Sequence, residues 1–370
     1  MTSDRSSMNA LPAIAISRRS LFAAGLAAGA AVGPGGMAIA ASSPAMSIAA
    51  TPNPHVFPLV LAMSLNPSLP VKLLAVAESR EFDSLLASGQ ADALLAMTYI
   101  AAQKRGSGAV DDLRLHTITT WRGFFQVAAE DVRTLRDLKG RTTIVSGPVG
   151  PGRGGGGDLI FQAAARRQGL DPSRDMYVEY VPVAQGAMRV LAGQAAAITI
   201  PSPGSTGLVL RSGMRPPASP GLGASADGKP IGAPSPRLIA IDLQAVFSGY
   251  RSFPAGQLPL GGFHATERML ADAQKRRTLD RITQAYGDAA EKLTAEPDRY
   301  APIVATAYSR FFGHIGAGNP SGTLLARSLT AGDLVYRTAR PTKADGKDLA
   351  AFLGEILGKP VPAEFLAGGG

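Results

Sequence analysis

Twice in this chain a stretch with helical spacing stops at a glycine and drops straight into a short apolar run: Leu86-Ala87-Ser88-Gly89-Gln90-Ala91, and later Leu191-Ala192-Gly193-Gln194-Ala195. Glycine at such a position takes the left-handed conformation that ends a helix. The apolar run that follows reads as a buried strand. A chain that uses this device twice must stack helices on sheets, so the expected fold class is α/β.

The rest of the pattern agrees. Strands are expected over residues 71–77, 91–97, 115–120, 125–129, 142–146, 177–181 and 195–200, after a short apolar run at 46–51. Helices are expected over 55–65, 79–87 with Ser79 as its cap, 159–168 closed by Gly169, and 184–191. Strands alternating with helices point to parallel sheets covered by helices, and the repeated device points to two similar lobes. Residues 212–236 are dense in Pro, Gly, Ser and Ala and read as a long surface excursion, after which 237–247 returns to a strand. From residue 265 the pattern is helical, with Leu279, Ile282, Tyr286, Ala289, Ala290 and Leu293 on one face, a packing stripe.

Composition narrows the class. The chain is 370 residues long, 45% hydrophobic and 18% charged, enough for a core and, by length, two domains. Cysteine is absent, which excludes a disulfide framework, a zinc ribbon, an iron–sulfur cluster and a thiol nucleophile. The start reads Ser17-Arg18-Arg19-Ser20-Leu21-Phe22, then a Gly/Ala-rich apolar run, then Ala38-Ile39-Ala40. That order makes residues 1–40 a secretory signal peptide cleaved after Ala40, of twin-arginine type or, as the alternative, an ordinary Sec signal that carries two arginines, and places the mature chain in the periplasm. No later run approaches the roughly 20 apolar residues of a membrane helix. Net charge is +9, of which the leader accounts for +2. The export signal, the single Trp and the lack of a Lys/Arg run argue against nucleic acid.

Three of these features carry a family resemblance. The leader, the paired Gly-Gln-Ala helix ends, and Asp137-Leu138-Lys139-Gly140-Arg141 leading into a strand and a Gly-rich loop resemble periplasmic substrate-binding proteins of ABC importers, of the nitrate/sulfonate/taurine-binding type, over residues 45–310. The resemblance implies the type 2 periplasmic-binding fold, with residues 41–120 in lobe 1, 121–250 in lobe 2, and 251–370 completing lobe 1 and adding C-terminal helices. It implies a monomer that closes on a small anionic organic solute and hands it to a membrane permease, with no enzymatic activity and no cofactor. The TAXI-type receptors of TRAP transporters share these features and stay open as an alternative, as does a cofactor-dependent enzyme exported by the twin-arginine route. The missing cysteines argue against the related thiamine-pyrimidine synthase branch.

The sharpest chemical feature is the run Ser146 to Asp158, with seven glycines between a strand and a helix. Glycines let backbone N–H groups approach a ligand, and a helix N-terminus favours an anion; Arg153 would add a fork of donors. The alternatives are a plain flexible loop, or Asp158 taking the helix end for itself. Gly152, Gly154 and Gly157 match GxGxxG, but the motif starts six residues after its strand and the following strand ends without an acidic residue, which disfavours a dinucleotide site. No GxSxG, HExxH, Walker or SxxK motif occurs, and the four histidines are scattered, so no catalytic or metal-binding set is expected. Ligands of open α/β sheets bind at the carboxyl ends of strands. Residues there give the candidate site: Asn53, His55, Ser79, Thr98, Tyr99, Trp121, Arg122, Gly147, Arg153, Gly154 and Ser202. Trp121 lies near the lobe crossover, where it either walls the ligand or packs the hinge.

Overall fold

The computed structural model describes residues 45–150, 152–213 and 236–366; the expected leader and most of the 212–236 excursion lie outside them. The first elements are β1 (Met46–Ala50), α1 (Phe57–Leu65), β2 (Val71–Ala75), α2 (Glu81–Ala87), β3 (Ala93–Met97), α3 (Thr98–Gly106) and β4 (Leu113–Arg122). Next come β5 (Phe124–Ala129), β6 (Thr142–Val145), α4 (Gly156–Arg167), β7 (Tyr177–Tyr180), α5 (Val183–Leu191), β8 (Ala197–Pro201), α6 (Gly204–Arg211) and β9 (Leu238–Asp242). The last are β10 (Gly261–Thr266), α7 (Glu267–Ala271), α8 (Ala273–Ala295), α9 (Pro297–Phe312), α10 (Gly322–Thr330), β11 (Val335–Ala339), α11 (Gly346–Leu357) and α12 (Ala363–Leu366).

These strands form two sheets, β11-β4-β10-β3-β1-β2 in lobe 1 and β7-β6-β8-β5-β9 in lobe 2. Apart from β11 the two orders coincide: β2-β1-β3-β10-β4 matches β7-β6-β8-β5-β9. In each, the first three strands are parallel. The fourth, β10 or β5, runs antiparallel to both neighbours. The sheets are therefore mixed, not parallel as expected, and the reason is topological. β5 enters lobe 2 directly from β4 of lobe 1, and β10 re-enters lobe 1 from lobe 2, so each arrives from the opposite end.

Local sequence explains most elements. Ala93–Met97 (ALLAM) is buried at every position, as a central strand covered on both faces must be. Gly89 and Gly193 both stand at φ 70° and deliver α2 into β3 and α5 into β8. The stripe Leu279, Ile282, Tyr286, Ala289, Ala290 and Leu293 is the buried face of α8. Three expectations need correction. β2 is a half-exposed edge strand rather than a buried one. Ser79 does not cap α2: the helix starts at Glu81, whose carboxylate accepts the Glu78 N–H at 2.9 Å. Residues 261–266, partly assigned to the helical tail, form β10. Its Gly262 passes so close to β4 that a Cβ there would sit 2.5 Å from the Thr117 carbonyl oxygen.

The lobes are joined by two crossings. In the first, Gly123 is the single residue between β4 and β5; the second runs from β9 to β10 through residues 243–260. Gln244 is fully buried between them. Its Oε1 accepts the N–H groups of Gly123 (3.1 Å) and Phe124 (2.7 Å), and its Nε2 donates to the Phe124 carbonyl (2.7 Å). Arg122 at the end of β4 pairs with Asp242 at the end of β9, 2.8 Å apart. One apolar cluster, including Leu94, Trp121, Phe124, Phe161 and Leu353, runs through both lobes. The C-terminal segment braces the join: α11 meets α4 through an Arg167–Glu355 ion pair of 2.6 Å, and Ser328 of α10 bonds Thr206 of α6 at 2.8 Å.

Candidate functional site

The carboxyl ends of β1, β2 and β3 in lobe 1 and of β6, β7 and β8 in lobe 2 carry the loops where a ligand of this topology binds. In lobe 1, Asn53 is half-buried at the lip, its Nδ2 donating to Thr51 Oγ1 at 2.9 Å. Ser79 is half-buried beside Glu78, which pairs with Arg80 at 2.9 Å. In lobe 2, the loop after β6 folds tightly on itself. Gly152 stands at φ 83°, and a Cβ on it would lie 2.4 Å from the Gly147 nitrogen, so only glycine fits. Gly154 N–H donates to Asp158 Oδ2 at 2.8 Å. Asp158 also accepts from the Tyr180 hydroxyl at 3.0 Å and is 6% exposed. Arg153 lies exposed, its guanidinium 4.8 Å over the Tyr180 ring.

This loop reaches lobe 1. Val149 packs against the lobe 1 core, and a Cβ on Gly150 would sit 2.9 Å from Glu78 Oε1. The buried Tyr99 hydroxyl donates to the Gly156 carbonyl at 2.9 Å, and Gly156 lies against Met97. Ser79, Tyr99, Gly147, Arg153 and Gly154 thus belong to the strand ends and loops where the two lobes face each other.

The other candidates sit deeper. His55 is fully buried, and neither ring nitrogen has a hydrogen-bond partner. Burial pushes its pKa down to about 3, against a smaller opposing effect from the Leu95 backbone, so the ring is neutral near pH 7. Thr98 is buried and its hydroxyl donates to the Pro259 carbonyl. Trp121 is 4% exposed; its indole N–H donates to the Arg337 carbonyl at 2.7 Å, the Arg337 guanidinium covers its ring at 4.3 Å, and Phe253 meets it edge-on. Arg122 is taken up by Asp242 at the join. Ser202, before a cis Pro203, is buried among the hydroxyls of Ser205, Thr206 and Ser328. Among the described residues no group of three His, Asp or Glu side chains stands close enough to hold a metal.

Sequence reading did not single out Tyr180, Gln244 or Ser328. Only Asp158 carried a signal, as the first acidic residue after the glycines. Its carboxylate accepts the Gly154 N–H of the Gly-rich loop and the Tyr180 hydroxyl. A cavity of about 430 Å³, lined by Arg141, Gln194 and Pro236 among others, lies at the opposite ends of the lobe 2 strands, away from the facing loops.

With that geometry in place the solved structures can be compared. The periplasmic aliphatic sulphonate binding protein SsuA from Escherichia coli superposes with a TM-score of 0.61 at 12% identity, over 87% of this chain and 97% of that one. The chain has the fold of that binding protein. The alkanesulfonate-binding protein SsuA from Xanthomonas axonopodis pv. citri, bound to MOPS, superposes at 0.56 with 16% identity, over 87% and 96% of the two chains. An ABC transporter structure from Parabacteroides distasonis gives 0.55 at 13% identity, over 87% and 98%. This type 2 periplasmic-binding fold is the α/β, two-lobed class expected from the repeated helix ends. By sequence, no protein-family model and no curated protein matches.

Proposed function

We propose that this chain is a periplasmic solute receptor that captures a small anionic organic solute between its lobes and presents the closed form to the permease of an ABC importer. The observation that carries this reading is the repeated strand order, with carboxyl-end loops of both sheets meeting at Tyr99–Gly156 and Glu78–Gly150 and two chain crossings between the lobes. In this reading residues 41–120 and 251–370 make lobe 1, 121–250 make lobe 2, and the protein acts as a monomer exported by the twin-arginine route. Solute contacts from both lobes favour the closed state over the open one, which is the condition for a ligand to shift such an equilibrium.

The anionic class rests on the start of α4. Its N-cap is Gly155; Asp158 in its first turn already takes the Gly154 N–H, so an anion would be met by the remaining first-turn N–H groups. Arg153 stands exposed beside it. Two of the superposable proteins are named for binding sulfonates. Asn53, Ser79 and Arg153 are the contacts we assign; the Gly154 N–H is spent on Asp158, and Trp121 and Arg122 serve the join.

Thermal unfolding of the mature chain with methanesulfonate, MOPS, nitrate, short carboxylates and pyrimidines tests the reading. One anion class at about 100 times its Kd should stabilise the fold by about 2.7 kcal/mol, a rise of several degrees in Tm. The Arg153→Ala variant should lose most of that rise. A panel in which no anion moves Tm overturns the solute class.

A further inference from the structure

Positive charge gathers at a second place in lobe 1, at the end of the sheet opposite to the facing loops. β10 runs antiparallel to both β3 and β4, so β4 points the same way as β3. Arg114, the second residue of β4, therefore stands at the amino end of the sheet. There a cavity of about 80 Å³ opens between β4, the start of α8 and the segment after β11. Arg114, Arg276 and Arg340 line it from those three segments, together with the buried His116, while Leu270 and Pro341 give it apolar sides. The carboxylates at hand are fewer than the cations. Glu267 serves both Arg105 at 3.2 Å and Arg114 at 2.8 Å, and Arg114 also donates to the Glu364 carbonyl. Asp280 serves both Arg340 and His116 Nε2, the latter at 3.0 Å. Among the described residues Arg276 makes no ion pair, so four guanidinium groups share two carboxylates. His116 feels the surplus: its pKa is pushed below 6.5, first by burial and next by the Arg340 charge, against the pull of Asp280.

We propose that this cavity is an anion site separate from the solute gap, holding one small oxyanion of the phosphate class between Arg114, Arg276 and Arg340. A guanidinium presents a planar fork of N–H donors that matches such an ion. Apolar sides reduce screening by water and strengthen each contact. At this volume the cavity takes a single tetrahedral ion and excludes a nucleotide. The bound ion offsets the surplus charge and ties together three segments far apart in the chain, so it acts on the stability of lobe 1. The site does not depend on what the chain captures between its lobes.

Inorganic phosphate is titrated into the mature chain in chloride buffer of constant ionic strength, at concentrations below those where excluded-salt effects act, and binding is read from phosphorus NMR line widths. Saturable broadening is the expected result. Arg276→Gln, at an exposed helical position, should weaken it about tenfold, the size of one lost hydrogen bond to a charged group. Arg277→Gln, the next residue along α8, is also exposed and outside the cavity lining. It removes the same charge and should change binding by no more than about twofold, since exposed charges are screened by salt. Circular dichroism establishes that α8 is intact in both variants. Absence of broadening in the parent overturns the site. So does an equal loss in both variants, which reduces the effect to general charge, or an affinity in Arg276→Gln equal to that of the parent. Broadening lost in Arg153→Ala and kept in Arg276→Gln places the ion at the lobe 2 loop and overturns the site as well.

Discussion

In lobe 1 the loop after the first strand is fastened from beneath. The Tyr286 hydroxyl of α8 donates to the His55 carbonyl at 2.9 Å, and the Tyr336 hydroxyl of β11 donates to the Pro54 carbonyl at 2.9 Å. Among the described residues of the matching loop after β6 in lobe 2, no tyrosine hydroxyl reaches a carbonyl from beneath. That loop is held by its own glycines, by the Gly154 to Asp158 hydrogen bond, and by what it touches in lobe 1. Equivalent strand orders thus end in unlike loops, one anchored in a deep core and one shaped by backbone contacts at the surface. The difference teaches that the repeat fixes where the loops go, whereas the layers added behind a sheet decide how firmly they are set.

The comparison is broken most easily by acid. The fully buried His55 and His264 belong to lobe 1, each with its pKa pushed down to about 3 from 6.5. Burial is the main cause for both, and the charges of His55 and His116 add to it for His264. In the unfolded chain these rings take up protons below about pH 6.5, while in the folded chain they do so only near pH 3. The stability they allow is therefore whole above pH 6.5 and lost as pH falls through that window, at about 1.4 kcal/mol per pH unit for each ring. Urea midpoints at pH 7, 6 and 5 should fall accordingly, and His264→Leu should flatten the slope. An unchanged slope in that variant would show that the buried rings do not govern acid sensitivity.

Glycines give the next largest effect. Gly262→Ala in lobe 1 drives a methyl into the Thr117 backbone, which cannot yield, and should cost about 3 kcal/mol. Gly186→Ala in lobe 2 meets only the side chains of Ile198, Ile144 and Ser146 at 2.8–2.9 Å and should cost about 1 kcal/mol. Equal costs by urea denaturation would erase the contrast between a backbone-limited strand position and a side-chain-limited helix position packed on a sheet. The smallest effect compares the fastenings themselves. Tyr286→Phe leaves a buried carbonyl without its donor and should cost about 1–2 kcal/mol. Asp158→Asn keeps the shape of its loop and should cost about 1 kcal/mol or less. A larger loss from Asp158→Asn would mean that the lobe 2 loop is the better founded of the two.

These cases also show what could be read in the sequence. Ala93–Met97 was legible because a central strand needs an unbroken apolar run, and Gly89 and Gly193 because a left-handed helix end needs glycine. β10 was not, since its Gly-Gly start looks like a breaker until β4 is placed against it. At the candidate site the Gly-rich loop stood out, yet the partners of its neighbours did not. Arg122 looks available for an anion until Asp242, distant in the chain, comes to rest beside it, and Trp121 looks like a ligand wall until β11 supplies the Arg337 carbonyl. Local chemistry marked the strand ends; which side chains were already engaged depended on contacts between remote segments.

The side chain of Gln244 reads two backbone amides and one carbonyl of the first crossing while its own backbone belongs to the second. Bending either strand alone would tear that amide from its partners, so both must turn as one axle. Strain at one crossing is thereby passed to the other, and the two connections answer to it as a pair.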